Sequence, residues 1–322
     1  MPAYNCEKYI QKAIDSILNQ SYTNLELLIC DDASRDKTRI IIDKYSDSRI
    51  HVFYNEKNLG YLKTWNKLLK HTQGDYITFQ DADDWSAPNR LELLLQAFSV
   101  KPQTGAIGSN FAQVGENDQI IFTSNFTLDP DEIFCRMPDK FELVGSALMV
   151  KKEVIEQIGV YHEIFDRMGA EDYYWTYLIA EKFGLKNISE ILYYYRKNPN
   201  SVAGNLTNNH RKLVSFDFVK YLVKQRKESG TDYLESGRLQ EALKVLHDLE
   251  KPYLTDKGLA LERVAKRYFY NGEERRGTKL QFKAWLKTPL QWRRLRDAIY
   301  LFRTYVFKNI SERLALKKIK SG

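Results

Sequence analysis

A cluster of carboxylates at residues 81–84 is the stretch of this chain best suited to chemistry. Asp81-Ala82-Asp83-Asp84 follows Tyr76-Ile77-Thr78-Phe79, whose β-branched and aromatic residues predict a short buried strand. Like charges this close repel one another, and a hard divalent cation with oxygen ligands usually compensates them. Because ligands of open α/β sheets bind beyond the carboxyl ends of the strands, the cluster predicts a metal-assisted active site at that edge.

Two further acidic pairs occupy comparable positions. Asp31-Asp32 comes at the end of a predicted strand, and Glu171-Asp172 comes directly before a predicted helix. Either pair alone is compatible with a helix cap or a turn, because aspartate is favoured at both. Three acids at 81–84, however, exceed what one cap requires. The three sites together therefore predict one acidic pocket that holds a metal ion and a diphosphate.

The elements that must position these acids alternate along the chain. Apolar spacing predicts helices at 9–19, 36–45, 60–71 and 88–99, and strands at 25–30, 51–54 and 76–79. Further strands are predicted at 106–109, 120–122, 145–150 and 192–195, with helices at 152–158 and 173–183. This order predicts an α/β fold with a single, Rossmann-like, mostly parallel sheet flanked by helices.

The C-terminal third differs in both pattern and charge. Strand signals stop at about Leu206, and the remaining residues read as helices separated by glycine and proline. Residues 205–322 hold 27 Lys+Arg and 13 Asp+Glu, whereas residues 1–204 hold 22 and 29. Such a split suggests two parts with different partners. We therefore predict a catalytic domain at 1–204 and a basic helical extension at 205–322.

Composition and motifs exclude several classes of protein. The chain has no apolar stretch long enough to span a bilayer and no N-terminal signal segment, which favours a cytoplasmic location. Its three cysteines lack the spacing of a zinc site and fit reduced thiols. Gly272–Lys279 comes near a P-loop, but its lysine is one position late and no strand precedes it.

The order of these motifs resembles that of family-2 glycosyltransferases over residues 1 to about 204. The matching segments are Pro2-Ala3-Tyr4-Asn5, Asp31-Asp32-Ala33-Ser34, Asn58-Leu59-Gly60, Asp81-Ala82-Asp83-Asp84 and Glu171-Asp172. The resemblance implies the GT-A fold. It also implies inverting transfer of a sugar from a nucleotide-diphosphate donor, usually UDP-linked, to a hydroxyl acceptor, here in bacterial surface polysaccharide or lipid-linked glycan synthesis.

The resemblance also implies roles on the donor side of the site. Ala3 and Tyr4 would line the base pocket. Asp32 would hydrogen-bond the uracil or ribose, with Asp31 beside it, and Asn58 would belong to the same side. Asp81 would face the ribose and donor sugar. Asp83 would bind Mn²⁺ or Mg²⁺, which bridges the diphosphate and neutralises the leaving group.

On the acceptor side, the resemblance implies that Asp172 is the general base and that Glu171 positions the acceptor or the base. The N-terminus of the following helix favours an ionised Asp172.

One segment departs from the family pattern, which often has Tyr-Arg-x-His after the last core strand. Here the segment is Tyr195-Arg196-Lys197-Asn198, so the imidazole is missing. Arg196 could still meet the diphosphate as a cation.

The basic tail at 283–322 allows three interpretations. It holds 11 Lys+Arg against Asp297 and Glu312, interleaved with aromatic residues. This pattern is typical of a helix that lies on an anionic membrane, which would suit a lipid-linked acceptor. A helical bundle with a solvated basic face is the main alternative. Nucleic-acid binding is disfavoured because no recognised module accompanies the charge.

Two other functions remain open from the sequence. A sugar nucleotidyltransferase also uses acidic metal ligands in an α/β fold, but it needs a glycine-rich basic phosphate loop near its N-terminus, and none is seen. A non-catalytic sugar-binding scaffold is disfavoured because all three acidic sites are intact.

Overall fold

The computed structural model describes residues 1–197, 209–256, 258–270 and 272–320, with side-chain surroundings through residue 308. The chain forms two compact units. The first comprises Met1–Val202 and Val219–Gly230, and the second comprises Ala203–Phe218 and Thr231–Gly322. The boundary predicted at residue 204 stays a prediction, and the structure adds 219–230 to the first unit.

A small parallel sheet opens the first unit. Its strands are β1 (Pro2–Ala3), β2 (Leu27–Asp31) and β3 (Ile50–Tyr54), hydrogen-bonded in the order β1-β2-β3. Helices α1 (Ile10–Leu18), α2 (Thr38–Ile42) and α3 (Tyr61–Leu69) follow these strands in turn. The apolar residues of α1 recur at helical spacing and pack in one buried cluster with residues of β1 and β2. This packing aligns the carboxyl ends of β1 and β2.

The second sheet of this unit is largely antiparallel. Its strands are β4 (Tyr76–Thr78), β5 (Trp85–Ser86), β6 (Ala106–Val114), β7 (Ile120–Thr123), β8 (Met149–Lys151) and β9 (Leu185–Arg196). They pair in the order β4-β8-β6-β9-β5, with β7 on β6, and only β6 and β9 run parallel. The α/β class is therefore confirmed, but a single mostly parallel sheet is not what forms. β4 pairs with the distant β8 instead of continuing the first sheet.

The remaining elements are helices. In the first unit they are α4 (Arg90–Val100), α5 (Pro130–Arg136), α6 (Lys152–Ile158) and α7 (Glu171–Phe183). Then come α8 (His210–Ser229), which is divided between the two units, and α9 (Leu239–Thr255), α10 (Leu259–Tyr270), α11 (Glu274–Lys287) and α12 (Trp292–Lys320). None of the helices in the described ranges combines the length and the hydrophobicity that spanning a bilayer requires.

Three local differences from the sequence prediction have physical causes. Gly145–Ala147 forms a 3₁₀ turn where a strand was predicted, and β8 begins only at Met149. The first half of β9 was missed because four polar residues interrupt its apolar pattern: Lys186, Asn187, Ser189 and Glu190. Helix α5 was also missed, although Asp129 caps it by accepting hydrogen bonds from the N–H groups of Asp131 and Glu132.

The C-terminal end of α8 is anchored in the first unit. Leu222 and Val223 are buried there. The nearly buried Arg226 donates from Nε to a carboxylate oxygen of Glu181 in α7, over 2.9 Å. In the second unit, buried Arg294 of α12 donates to Glu262 over 3.0 Å and to Asp256 over 2.7 Å. Each of these ion pairs fixes a helix to its own unit.

Candidate active site

Asp81 is held by two hydroxyl groups at the exit of β4. The Tyr61 hydroxyl donates to Oδ1 over 2.9 Å, and the Ser146 hydroxyl donates to Oδ2 over 2.5 Å. Burial raises the pKa of Asp81 to about 6, while the Ser146 bond acts in the opposite direction. The Asp81 carboxylate is therefore fixed in orientation by α3 and by the 3₁₀ turn at 145–147.

Asp84 fastens the acidic loop to the end of β9. Its side chain is 2% exposed, and its Oδ1 accepts a hydrogen bond from the backbone N–H of Arg196 over 2.7 Å. Burial raises the pKa of Asp84, with the charges of Asp81 and Asp83 adding to the effect. Asp84 thus ties the acidic loop to the end of β9.

Arg196 is enclosed by the same loop and its neighbours. Its Nε donates to the backbone carbonyl of Asp83 over 3.0 Å, and its Nη2 donates to Asp118 over 2.6 Å. A third bond goes to the carbonyl of Gly115 over 3.1 Å, and the guanidinium lies 5.1 Å from the Trp85 ring centroid. These contacts hold the backbone at Asp83 in place. Asn198, the departure from the family pattern, lies outside the described residues.

A buried cation that the sequence reasoning missed lies behind the acidic loop. Arg90 of α4 is fully buried and donates to the side chains of Thr78 and Ser86 and to the carbonyls of Phe79 and Ser146. Burial lowers the pKa of Arg90 to about 10, and the nearby phenol and carboxylates oppose this. The sequence feature that could have revealed this burial is the position of Arg90 four residues before Leu94, which places it on the apolar face of α4.

Glu171 and Asp172 begin α7 in a tight, buried setting. The preceding Gly169 and Ala170 both have left-handed backbone angles, with φ of 79° and 68°, which turns the chain sharply into the helix. Burial raises the pKa of Glu171 to about 8, with Asp172 adding to it. Burial also raises the pKa of Asp172, although backbone N–H groups at the helix start oppose the shift. Desolvation therefore outweighs the helix terminus.

The 3₁₀ turn joins the second and third acidic sites. Ser146 bonds to Asp81, and the preceding Gly145 lies against Asp172 so closely that an added Cβ would be 2.9 Å from Asp172 Cβ. The charge of Asp81 also contributes to the raised pKa of Glu171. The 145–147 turn thus contacts both Asp81 and Asp172, and Glu171 lies within electrostatic range of Asp81.

Both carboxylate oxygens of Asp32 accept hydrogen bonds from within the protein. Asp32 is 3% exposed, and its two carboxylate oxygens accept the backbone N–H groups of Leu59, over 2.8 Å, and Gly60, over 2.9 Å. Gly60 has a φ of 91°, a conformation that favours glycine. The Asn58 amide lies 3.4 Å from the Asp32 carbonyl, and Arg167 donates to Asn58 over 3.3 Å. Asp32 therefore anchors the turn that carries Asn58.

Asp31 differs from its neighbour in having an unused oxygen. Its Oδ2 accepts from the N–H of Ser34 over 3.3 Å, whereas its buried Oδ1 has no hydrogen-bond partner in the described part of the chain. Ala3 lies opposite Asp31 in the sheet and is buried, while Tyr4 is 45% exposed. The first acidic site therefore combines a buried carboxylate oxygen of Asp31 that accepts no hydrogen bond with an exposed Tyr4.

The fit of a metal ion to Asp83 can be judged from its surroundings. Within the ranges that the structure describes, no group of three or more His, Cys, Asp or Glu side chains is arranged to hold a metal by itself. Asp83 is partly exposed at the tip of the acidic loop. Magnesium-type ions commonly take only one or two protein carboxylates and complete their shell with water and substrate phosphates. The carboxylate of Asp83 therefore fits a metal ion that binds together with a substrate diphosphate.

The sequence is similar to known sugar-transferring enzymes. A family model described as Glycosyl transferase family 2 matches residues 1–159. The putative teichuronic acid biosynthesis glycosyltransferase TuaG of Bacillus subtilis is 30% identical over 63% of this chain and 80% of the relative. The Escherichia coli UDP-Glc:alpha-D-GlcNAc-diphosphoundecaprenol beta-1,3-glucosyltransferase WfaP is 28% identical over 63% of this chain and 78% of the relative.

Solved structures share the fold at low identity. S. aureus TarS 1–349 in complex with UDP aligns with a TM-score of 0.52 and 20% identity, covering 94% of this chain and 90% of TarS. The mannosyltransferase PcManGT from Pyrobaculum calidifontis, in complex with GDP-Man and Mn²⁺, aligns with a TM-score of 0.51 and 18% identity, covering 95% of this chain and 84% of that enzyme. The chain therefore belongs to glycosyltransferase family 2, has the GT-A fold and is a glycosyltransferase.

Proposed function

We propose that the enzyme transfers a hexose or N-acetylhexosamine from a UDP-sugar to a hydroxyl group of a lipid-linked glycan, with inversion at the anomeric carbon. The observation that carries the proposal is the 3₁₀ turn at 145–147, because it sets a donor-side carboxylate, Asp81, beside a buried acceptor-side carboxylate, Asp172. The UDP complex of TarS and the UDP-glucose and diphosphoundecaprenol named for WfaP support this choice of donor and acceptor.

On the donor side, Asp31 contacts the nucleoside and Asp32 acts through the backbone. The unpartnered Oδ1 of Asp31 can accept an N–H or hydroxyl of the nucleoside, with Ala3 and Tyr4 beside it. Asp32 fixes the Asn58 turn instead. Arg196 likewise positions Asp83 rather than touching phosphate, because its guanidinium already bonds to Asp118 and two carbonyls.

Asp83, with the diphosphate of the donor, would hold Mn²⁺ or Mg²⁺. When bound, such an ion supplies positive charge that stabilises the departing UDP. The buried Arg90 adds a fixed positive charge behind the loop, within electrostatic range of Asp81 and Asp84. The protein's own contribution is to hold these carboxylates in one orientation.

On the acceptor side, Asp172 accepts the proton of the attacking hydroxyl. The acceptor oxygen forms a bond to the anomeric carbon on the face opposite UDP, the bond to the diphosphate oxygen breaks, and UDP leaves with that electron pair. A base whose pKa is raised toward neutrality is better matched to this transfer than an ordinary carboxylate. Burial raises the pKa of Glu171 to about 8, so its protonated form is available near neutral pH to donate a hydrogen bond that orients the acceptor.

A screen of nucleotide sugars tests the proposal. The full chain is mixed with UDP-, GDP- or dTDP-sugars and Mn²⁺, with and without a polyprenyl-diphosphate-linked glycan, and the released nucleotide is measured. We expect UDP release that increases with the acceptor. If added inorganic pyrophosphate instead converted the UDP-sugar to UTP and sugar 1-phosphate, the enzyme would be a nucleotidyltransferase, and binding of donor with no turnover on any acceptor would indicate a sugar-binding scaffold. Either result would overturn the proposal.

A lipid-linked acceptor brings the reaction to a membrane surface. Nucleotide sugars are cytoplasmic compounds, so the enzyme would work at the inner face of the plasma membrane.

A further inference from the structure

One face of α12 in the second unit carries large apolar side chains that are open to solvent. Arg294, Ala298 and Leu301 are buried, which fixes the orientation of the helix. At 3.6 residues per turn, the opposite face carries Trp292, Ile299, Tyr300 and Phe307, which are 74%, 45%, 61% and 61% exposed. Leu290, two residues before the helix, is 89% exposed. We call these five residues the α12 face.

Arginines are interleaved with the α12 face. Arg296 and Arg303 lie four residues after Trp292 and Ile299, so they fall on the same side of the helix, and both are exposed. Arg293 is also exposed, although it reaches Glu262 over 3.0 Å. Asp297 is the only acidic residue between positions 290 and 308, and its side chain is 23% exposed. The face is therefore apolar and cationic.

The charge and apolar character of the α12 face distinguish between two candidate partners, a second copy of the chain and a lipid bilayer. A second copy of the chain would bring the same arginines together, because a twofold contact uses the same patch on both subunits. Exposed apolar side chains interleaved with arginines are complementary to a surface whose outer layer is negatively charged and whose interior is apolar. An amphipathic helix with aromatic and basic residues lies in the interface of an anionic bilayer in this way.

We propose that the α12 face binds the surface of an anionic lipid bilayer, with α12 lying parallel to it. The apolar side chains enter the boundary between headgroups and acyl chains, while Arg296 and Arg303 contact lipid phosphates. The stretch from Trp292 to Phe307 gives about 22 Å of helix for this contact. The inference extends the proposed lipid-linked acceptor, because a docked enzyme would meet that acceptor in two dimensions.

Vesicle flotation without any nucleotide or acceptor tests the proposal. The full chain is mixed with vesicles of phosphatidylcholine alone or with phosphatidylglycerol added. We expect binding only to the anionic vesicles, weakened by salt because the charges are exposed. Arg296→Gln with Arg303→Gln, and separately Leu290→Ser with Trp292→Ser, should each weaken partitioning by about tenfold or more.

Matched controls lie on α9, where exposed residues of the same types are available. Lys244→Gln with Lys251→Gln, and Leu239→Ser with Leu254→Ser, should leave partitioning within about twofold of the parent. Circular dichroism confirms that each variant is folded.

Three outcomes would overturn the inference. The α12 variants could bind vesicles as the parent does. Only the arginine pair could reduce vesicle binding, which would indicate a surface that binds polyanions in general. Competition of a DNA duplex with the vesicles would then confirm this. The apolar pair could change the sedimentation coefficient and leave vesicle binding intact, which would indicate a second copy. UDP-sugar hydrolysis is measured separately, so this inference and the proposed function can fail independently.

Discussion

The hydroxyl of Ser146 lies 2.5 Å from Oδ2 of Asp81, and this bond is made by the residue that follows the glycine packed on Asp172. Two consecutive residues therefore set the relative positions of the donor-side and acceptor-side carboxylates. Because displacements of about 1 Å can slow an enzyme about 100-fold, this turn should be among the most sensitive places in the protein.

Gly145→Ala should reduce kcat by about 100-fold and leave UDP binding nearly unchanged. The new methyl group would lie 2.9 Å from Asp172 Cβ and displace the proposed base, while Asp81 keeps its other contacts. Steady-state kinetics and calorimetric titration of UDP measure the two effects. Gly74→Ala is the matched control, since its methyl would meet only an ordinary contact at 3.4 Å. Full activity in Gly145→Ala would contradict the role of the turn.

Asp172→Asn should lower kcat by about 100-fold or more with donor affinity preserved. In the parent, kcat should fall as the pH drops through the raised pKa of Asp172, because only the ionised carboxylate accepts the acceptor proton. The fall should thus begin at a higher pH than the ordinary aspartate value of about 3.9 would give. A variant that keeps its turnover, or a parent profile flat down to that value, shows that another group is the base.

Glu171→Gln should change how stability depends on pH. The pKa of Glu171 is raised from an ordinary 4.5 to about 8, so folding takes up a proton between these values. The contribution of Glu171 to the free energy of unfolding is fully present at low pH and is lost as the pH rises through about 8. Urea unfolding from pH 5 to pH 9 should therefore show a flatter dependence for Glu171→Gln. Exposed Glu156→Gln, as control, should follow the parent.

Asp31→Asn and Asp32→Asn should separate ligand binding from stability. Asp32→Asn replaces one of the two oxygens by an amide nitrogen, so the N–H of either Leu59 or Gly60 loses its acceptor, which should cost about 1–3 kcal/mol of unfolding free energy. Asp31→Asn should leave stability nearly unchanged and weaken UDP binding about tenfold. Thermal unfolding and UDP titration distinguish them. If the effects on UDP were reversed, Asp32 would be the base-contacting residue that the family resemblance implies.

Removing divalent metal should weaken UDP binding, and Mn²⁺ should restore it. Asp83→Asn should blunt the response to Mn²⁺, because the amide keeps the shape of the carboxylate but loses its charge. UDP affinity measured with EDTA and then with added Mn²⁺ gives the comparison. Asp75→Asn, an exposed change just before β4, is the control. Equal metal dependence in Asp83→Asn and the parent would exclude Asp83 as a ligand.

The sequence predicted the acidic sites better than it predicted their internal partners. Asp31, Asp81 and Glu171 follow or precede elements with clear local patterns, so their places at strand ends and a helix start could be read directly. The bonds of Asp32 to Leu59 and Gly60 depend on how a loop folds back, which residue spacing does not encode. Arg90 was missed because its acceptors belong to β4, β5 and the 145–147 turn, and which strands adjoin is a long-range outcome.

The sharing of α8 between the two units has a consequence for synthesis. Residues 219–230, with Arg226 bound to Glu181, belong to the catalytic unit although they follow part of the other unit in the chain. A nascent chain that has emerged only to the last sheet strand still lacks this helix, so Glu181 is without Arg226 and the buried apolar side chains of Leu222 and Val223 are missing from the first unit. The catalytic unit can complete its folding on the ribosome only after translation has passed residue 230, and a gene truncated at the predicted boundary should yield an aggregation-prone product.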